Sequence, residues 1–260
     1  MNKKRNFIEE NRQYWTNRSS GYSIVNQNQL ETEMHEIWRQ FLSANIKEHF
    51  PSVKADQIEV LDIGTGPGFL AILLAEEGFS VTGVDLTLSM LEEAEKNAGK
   101  LKSKIRFMQG NAEKTDFSDE SFDVIVTRNL TWNLPHPVQA YEEWNRILKK
   151  NGMLMIFDSN WYRYLFDEQA RQAYDRDRQI TKETGIKDEN IGENFDVMEE
   201  IALHMPLSDQ MRPEWDLHVL KDLGMFVSAD TEIWQKLWSE EEKINFFSTP
   251  MFLVKAIKKK

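Results

Sequence analysis

The chain has 260 residues, 40% hydrophobic and 29% charged, with 43 acidic against 32 basic side chains and a net charge of −11. That composition excludes a disordered chain, and no run approaches the roughly 18 apolar residues of a membrane span. The acidic balance argues against nucleic acid and membrane surfaces as partners, and the lack of cysteine excludes disulfides, thiolate metal sites and cysteine nucleophiles. No His spacing typical of a metal site is present, so no metal is expected. The N-terminus starts basic without an apolar signal core, and a cytoplasmic location is expected.

The first 57 residues read as a helical cover made of two segments joined by a polar loop that contains Tyr14, Trp15, Arg18 and Tyr22. In the second segment, over residues 28–49, Leu30, Met34, Ile37, Trp38, Phe41, Leu42 and Ile46 recur at the three-to-four spacing of one helix face. From Ile58 short strands alternate with helices. Strands are predicted at 58–63, 80–85, 105–109, 122–127 and 153–157, and helices at 69–77, 89–97 and 138–150. This rhythm implies parallel pairing with right-handed crossovers, an α/β, doubly wound sheet. Residues 159–215 interrupt the pattern with a helical insertion; from Trp161 to Trp215 it holds 7 basic and 13 acidic residues. Helix near 217–223, strand near 225–229, an amphipathic helix at 233–244 and a strand at 249–257 complete the chain, and the last three lysines read as a solvated tail. The whole is expected to be one domain, with a cover (1–57), a core (58–158), an insertion or lid (159–215) and closing elements (216–260).

Val60-Leu61-Asp62-Ile63-Gly64-Thr65-Gly66-Pro67-Gly68 is the most informative stretch. Strand, closely spaced glycines, then helix is a nucleotide-binding order, because glycine allows a tight turn and close ligand approach. Asp85 ends the next strand, 21 residues after Gly64, where a carboxylate can accept from both ribose hydroxyls. The dinucleotide fingerprint needs glycine where Phe69 stands, and the Walker lysine is missing. An acid such as Asp62 repels a pyrophosphate but suits a ligand carrying an ammonium group.

This pattern resembles motif I of the class I S-adenosylmethionine-dependent methyltransferases. The resemblance runs over roughly 100 residues, Ile58 to Phe157, and includes Val84-Asp85-Leu86, Gln109-Gly110-Asn111-Ala112-Glu113, Phe122-Asp123-Val124-Ile125-Val126 and the stretch from Asn129 to Gly152. It implies a Rossmann-like seven-stranded sheet with strand seven antiparallel beside strand six, and S-adenosyl-L-methionine as cofactor. Carried over residue by residue, Gly64, Thr65, Gly66 and Gly68 would form the cofactor loop, with Asp62 on the ammonium and Asp85 on the ribose. Leu86, Met90, Asn111 and Ala112 would surround the adenine, with Asn111 standing where the family commonly has an acid. Arg128 and Asn129 would face the methionine end, and the segment holding Tyr14 and Tyr22 would cover the cofactor.

The resemblance further implies methyl transfer to a small-molecule acceptor by in-line displacement, in which the protein mainly binds, aligns and excludes water. His136 is the candidate general base, or else a surface histidine shaping the turn between Pro135 and Pro137. Trp132, Trp161 and Tyr164, with Tyr162 beside them, could wall a substrate pocket or serve as ordinary packing. The acidic insertion could steer an amine substrate or be the wet face of two helices. The protein is expected to work as a monomer or homodimer. The alternatives are aminopropyl transfer on the same fold, disfavoured because no acidic run follows strand four, and a cofactor-binding module without catalysis.

Overall fold

The computed structural model describes residues 5–188 and 195–259. Its centre is a seven-stranded sheet in the order β3-β2-β1-β4-β5-β7-β6. The strands are β1 (Glu59–Ile63), β2 (Ser80–Asp85), β3 (Ile105–Gln109), β4 (Phe122–Arg128), β5 (Leu148–Asp158), β6 (Phe226–Asp230) and β7 (Phe252–Ile257). β1 to β5 pair in parallel, and β7 runs antiparallel between β5 and β6. The expected doubly wound architecture and its single antiparallel strand are therefore present.

The inner strands are apolar on both faces because helices cover both. On one face Val60, Val81, Val126, Met155 and Phe157 meet α2 (Glu33–His49) and α3 (Phe69–Glu76). α2 presents Met34, Trp38, Leu42 and Ile46 at four-residue spacing, all of them buried, as the sequence periodicity requires. On the other face Leu61, Ile63, Ile125, Leu154 and Ile156 meet α5 (Pro137–Ile147) and α8 (Glu214–Asp222). α4 (Leu88–Ala98) connects β2 to β3. Residues 159–213 supply α6 (Glu168–Thr184) and α7 (Phe195–Ala202). Met198, Ile201, Ala202 and Met205 pack with Tyr14 and Trp132 in a third apolar cluster. α9 (Trp234–Leu237) and α10 (Glu240–Asn245) precede β7. Among the described residues no helix is long and apolar enough to cross a membrane.

Four expectations are corrected. The predicted loop between two N-terminal segments is instead part of α1, one continuous helix over Phe7–Glu31. Its inward face is polar: Asn11, Ser19, Ser23, Asn26 and Gln29 are all buried, so no apolar stripe announced it. Asn11 exchanges hydrogen bonds with Asn133 (2.8 and 3.1 Å), and Gln29 donates to Glu242 (2.8 Å). β5 begins at Leu148 and not near Gly152, because Leu148 pairs with Phe122 across a register shift. The amphipathic run at 233–244 is split between α9 and α10, where Ser239 and Glu242 form a reciprocal capping box. Lys258 is no free tail residue: its Nζ donates to the carbonyls of Asn145 and Leu148 at 2.7 Å each, closing the C-terminal end of α5.

Candidate functional site

The carboxyl ends of β1, β2 and β4 meet at the switch point of the sheet, where open α/β folds bind their ligands. The loop after β1 is set by hydrogen bonds before any ligand arrives. Gly64 N and Thr65 N donate to the Val84 carbonyl at 2.8 and 2.9 Å, and Gly66 N donates to Asp85 Oδ2 at 2.9 Å. The three loop glycines have φ of 73°, 52° and 91°, a region that side chains resist. A Cβ on Gly64 would strike Leu130 at 2.7 Å, whereas one on Gly66 would meet only Tyr22 at 3.8 Å. Gly68 has a different reason for being glycine: it opens α3 and packs against Ala94, which a Cβ would reach at 3.1 Å.

Asp62 does not line the cavity that this loop bounds. Its Oδ2 accepts from Thr65 Oγ1 (2.6 Å) and Ala71 N (3.0 Å), so it fastens the loop to α3. Burial pushes its carboxyl up to about 7, since a low-dielectric surrounding disfavours the charged form. Asp85 does line the cavity. Its Oδ1 accepts from Thr87 N and Thr87 Oγ1 at 2.9 Å each. Burial raises this carboxyl too, against the pull of those donors.

The cavity takes in Gly64, Gly66, Asp85, Leu86, Met90 and Asn111, with Ala112 beside them. Asn111 Oδ1 already accepts from Glu113 N (2.9 Å). The opposite wall is α1, through Ile8, Asn11, Trp15 and Tyr22. At the end of β4, Arg128 and Asn129 line this cavity and also a second one. Trp15 and Tyr22 are likewise common to both. Asn129 holds a left-handed φ of 56°. Its buried Oδ1 and the buried Nε of Arg128 have no hydrogen-bond partner. A buried acceptor and a buried donor left open side by side suit a ligand that carries an ammonium and a carboxylate.

The second cavity is walled by Trp132, Trp161, Tyr162, Tyr164, Trp238 and Phe246. Trp132 stacks near Tyr162 with ring centroids 4.9 Å apart, and its Nε1 donates to the Asn129 carbonyl at 3.0 Å. Burial raises the Tyr14, Tyr162 and Tyr164 phenols, so all three stay neutral. Tyr14 borders only this second cavity.

A buried network holds these walls. Arg212, fully buried, pairs with Asp158 at 2.8 Å and Asp216 at 2.7 Å. Thr131 and Trp132 N donate to the same Asp158 oxygen, the latter at 3.0 Å, and Trp161 Nε1 donates to the other at 3.1 Å. Asp158 at the tip of β5 thus fixes two of the aromatic walls.

The candidate base stands apart from both cavities. His136 lines neither cavity. It precedes α5, its side chain is 60% exposed, and its Nδ1 lies 2.9 Å from Glu113 Oε2, while its backbone N donates to Oε1 at 2.6 Å. Sequence reasoning missed Asn11 as a lining residue and placed Trp15 only within a covering loop, with no contact of its own. Their signal was present only as a four-residue step, Asn11-Trp15 and then Arg18-Tyr22, hidden by the loop assignment.

The model of the methyltransferase domain family matches residues 61–156. An uncharacterized methyltransferase of Bacillus subtilis, YcgJ, is 37% identical over 100 residues, 38% of this chain and 40% of the relative. The ubiquinone biosynthesis O-methyltransferase of Rickettsia akari is 26% identical over 146 residues, 56% of this chain and 55% of the relative. The chain thus spans about half the length of the curated relatives it matches. The crystal structure of YcgJ superposes with a TM-score of 0.54 at 22% identity, covering 84% of this chain and 98% of that one. A Haemonchus contortus phosphoethanolamine N-methyltransferase in complex with S-adenosyl-L-methionine gives 0.58 at 16% identity, covering 90% and 60%; at such identities these two likenesses speak for the fold. With the glycine loop and the strand order in agreement, the chain carries, over residues 61–156, a methyltransferase domain.

Proposed function

We propose that this protein transfers the methyl group of S-adenosyl-L-methionine to a small-molecule acceptor held in the aromatic cavity. The observation that carries the reading is the junction of two cavities at Trp15, Tyr22, Arg128 and Asn129. A donor in the glycine-loop cavity and an acceptor in the aromatic one would meet there. The cofactor supplies an electrophilic sulfonium methyl with a neutral thioether leaving group.

The chain's own residues position and enclose. Asp85 is placed for a ribose, Gly66 for close backbone approach, and Leu86 and Met90 for the flat face of an adenine. Asn129 Oδ1 and Arg128 Nε would satisfy the ammonium and carboxylate of the methionine end. Tyr22 lies over Gly66, and α1 walls the junction through Trp15 and Tyr22; water excluded there would preserve the strength of polar contacts inside. Trp132 and Trp161 would orient the acceptor.

Among the described residues neither cavity is lined by a histidine. Among them the only carboxylate lining the second cavity is Glu242, and it is tied to Gln29 at 2.8 Å and to Ser239 N at 2.8 Å. The neutral tyrosines are donors and not bases. The site therefore suits an acceptor whose attacking atom already has a free lone pair, and alignment carries the rate enhancement.

Methyl-labelled S-adenosylmethionine tested against amines, thiols, phenols and carboxylic acids decides the matter. The expected result is transfer to one class, with Trp132→Ala raising KM for the acceptor and leaving the affinity for S-adenosylhomocysteine unchanged. Tight S-adenosylhomocysteine binding with no transfer to any class would overturn the enzymatic reading.

A further inference from the structure

We propose that Arg18 makes the aromatic cavity a site for a monoanionic acceptor, one with an apolar, ring-like body and a carboxylate or similar planar oxyanion held by the guanidinium. The inference rests on the aromatic cavity being the acceptor site.

Arg18 projects from α1 one turn before Tyr22 and lines the aromatic cavity alone. The side chain is half-buried, and its Nε is shut off from solvent without a hydrogen-bond partner. No hydrogen bond or ion pair joins its guanidinium to any of the described residues. Such a donor group is costly to leave unmet, and its planar fork matches a carboxylate.

The charge balance of the lining points the same way. Two guanidiniums, Arg18 and Arg128, face one carboxylate, Glu242. Glu242 is already committed to Arg128, 3.6 Å away, and both are held by Gln29, with Arg128 Nη1 donating to Gln29 at 2.9 Å. Among the described residues of the lining one positive charge remains uncompensated, which suits a monoanion. Glu199 accepts from Tyr164 at 2.7 Å and is not part of the lining. The rings of Trp132 and Tyr162 offer flat surfaces for the body of the acceptor.

The cofactor's own carboxylate is a competing source of the same chemistry. Arg128 borders both cavities with an open Nε, whereas Arg18 borders only the second. Arg128 is thus the residue placed for the cofactor, and Arg18 for the end of the acceptor remote from it.

The test uses Arg18→Gln and Arg18→Lys in the full chain, with calorimetry and tryptophan fluorescence as readouts. The probes are benzoate and phenylacetate, with benzyl alcohol and benzylamine as uncharged and cationic counterparts, added to protein saturated with S-adenosylhomocysteine. Wild-type protein is expected to prefer the carboxylates over the alcohol by about 10-fold or more, the worth of one charge-assisted pair. Arg18→Gln should erase that preference, Arg18→Lys should restore part of it, and both should bind S-adenosylhomocysteine as wild type does. A wild type that holds the carboxylates no better than the alcohol overturns the proposal, as does a preference that survives Arg18→Gln. So does a fall in S-adenosylhomocysteine affinity in Arg18→Gln with 5′-methylthioadenosine unaffected, which would give Arg18 to the cofactor. If S-adenosylhomocysteine fails to bind wild type, the methyltransferase reading falls, and the same preference measured on unloaded protein still decides the role of Arg18.

Discussion

Replacing Asp85 by Asn keeps the shape of the side chain and exchanges one acceptor oxygen for a donor. Three donors converge on this carboxylate: Gly66 N on Oδ2, and Thr87 N and Oγ1 on Oδ1, all at 2.9 Å. The Thr87 hydroxyl can rotate, but the two backbone N–H groups are fixed, and they address different oxygens. Whichever way the new amide turns, one N–H faces another donor. Leaving it unmet costs about 1–3 kcal/mol of stability. A ribose hydroxyl would also lose its charged acceptor, about 1.5–3 kcal/mol of binding, or roughly 10- to 150-fold in Kd. Calorimetric titration with S-adenosylhomocysteine measures the second effect and thermal unfolding the first. The chemical signature is the ratio of affinities for adenosine and 2′,3′-dideoxyadenosine, which should be large in wild type and near unity in the variant. An unchanged ratio would refute the ribose assignment even if both affinities fell, because a merely loosened loop would weaken the two ligands alike.

The pH dependence of stability should carry the mark of Asp62. Its folded-state carboxyl lies near 7 against an ordinary value of 3.8, so between those values the folded protein holds a proton that the unfolded chain releases. The contribution of this group is therefore greatest below pH 4 and is lost as pH rises through 7, by on the order of 4 kcal/mol. Asp62→Asn should flatten the decline in unfolding free energy between pH 5 and 8, and parallel curves for the two proteins would count against the assignment. His136→Ala should leave methyl transfer within about 3-fold of wild type, whereas a general base is worth about 10²–10⁴-fold; a loss of that size would return His136 to the chemistry. Arg212→Met leaves Asp158 and Asp216 buried without their cation and should cost about 3–5 kcal/mol. Urea titration showing a loss under about 1 kcal/mol would mean that the network contributes little.

The sheet could be read because each inner strand is a short apolar run closed by a turn, and β2 and β3 have the bounds their patterns predict. The start of β5 could not, because Leu148 also continues the apolar face of α5 through Tyr141, Trp144 and Ile147, and one residue cannot show which neighbour it follows. α1 was hidden for a physical reason. A helix that closes over a ligand site is free to bury amides and hydroxyls, provided each finds a partner, and hydrophobic periodicity is silent about such a face. Asp62 shows a limit of a different kind: the loop motif located it, but only the Thr65 and Ala71 contacts reveal that its carboxylate is directed at the protein. The aromatic cavity draws Trp15, Trp132, Trp161 and Trp238 from four separate segments. No local spacing encodes their meeting.

Charge illustrates how a global count and a local site diverge. Of the acidic residues in the insertion, Glu168, Asp175, Glu183, Asp196, Glu200, Asp209 and Glu214 are exposed, Glu189 and Glu193 lie outside the described residues, and none of the others lines either cavity. Exposed charges act through water and are screened beyond a Debye length of about 8 Å at physiological salt. Arg18 and Arg128 face an aromatic enclosure, where the effective dielectric is lower and a single charge acts more strongly. The net charge of −11 therefore weakens the approach of an anion from solution without setting the sign of what the cavity retains. The helical insertion contributes to the site through its apolar side, where Met198, Ile201 and Met205 support Tyr14 and Trp132. Its exposed carboxylates keep another side in water, away from both cavities.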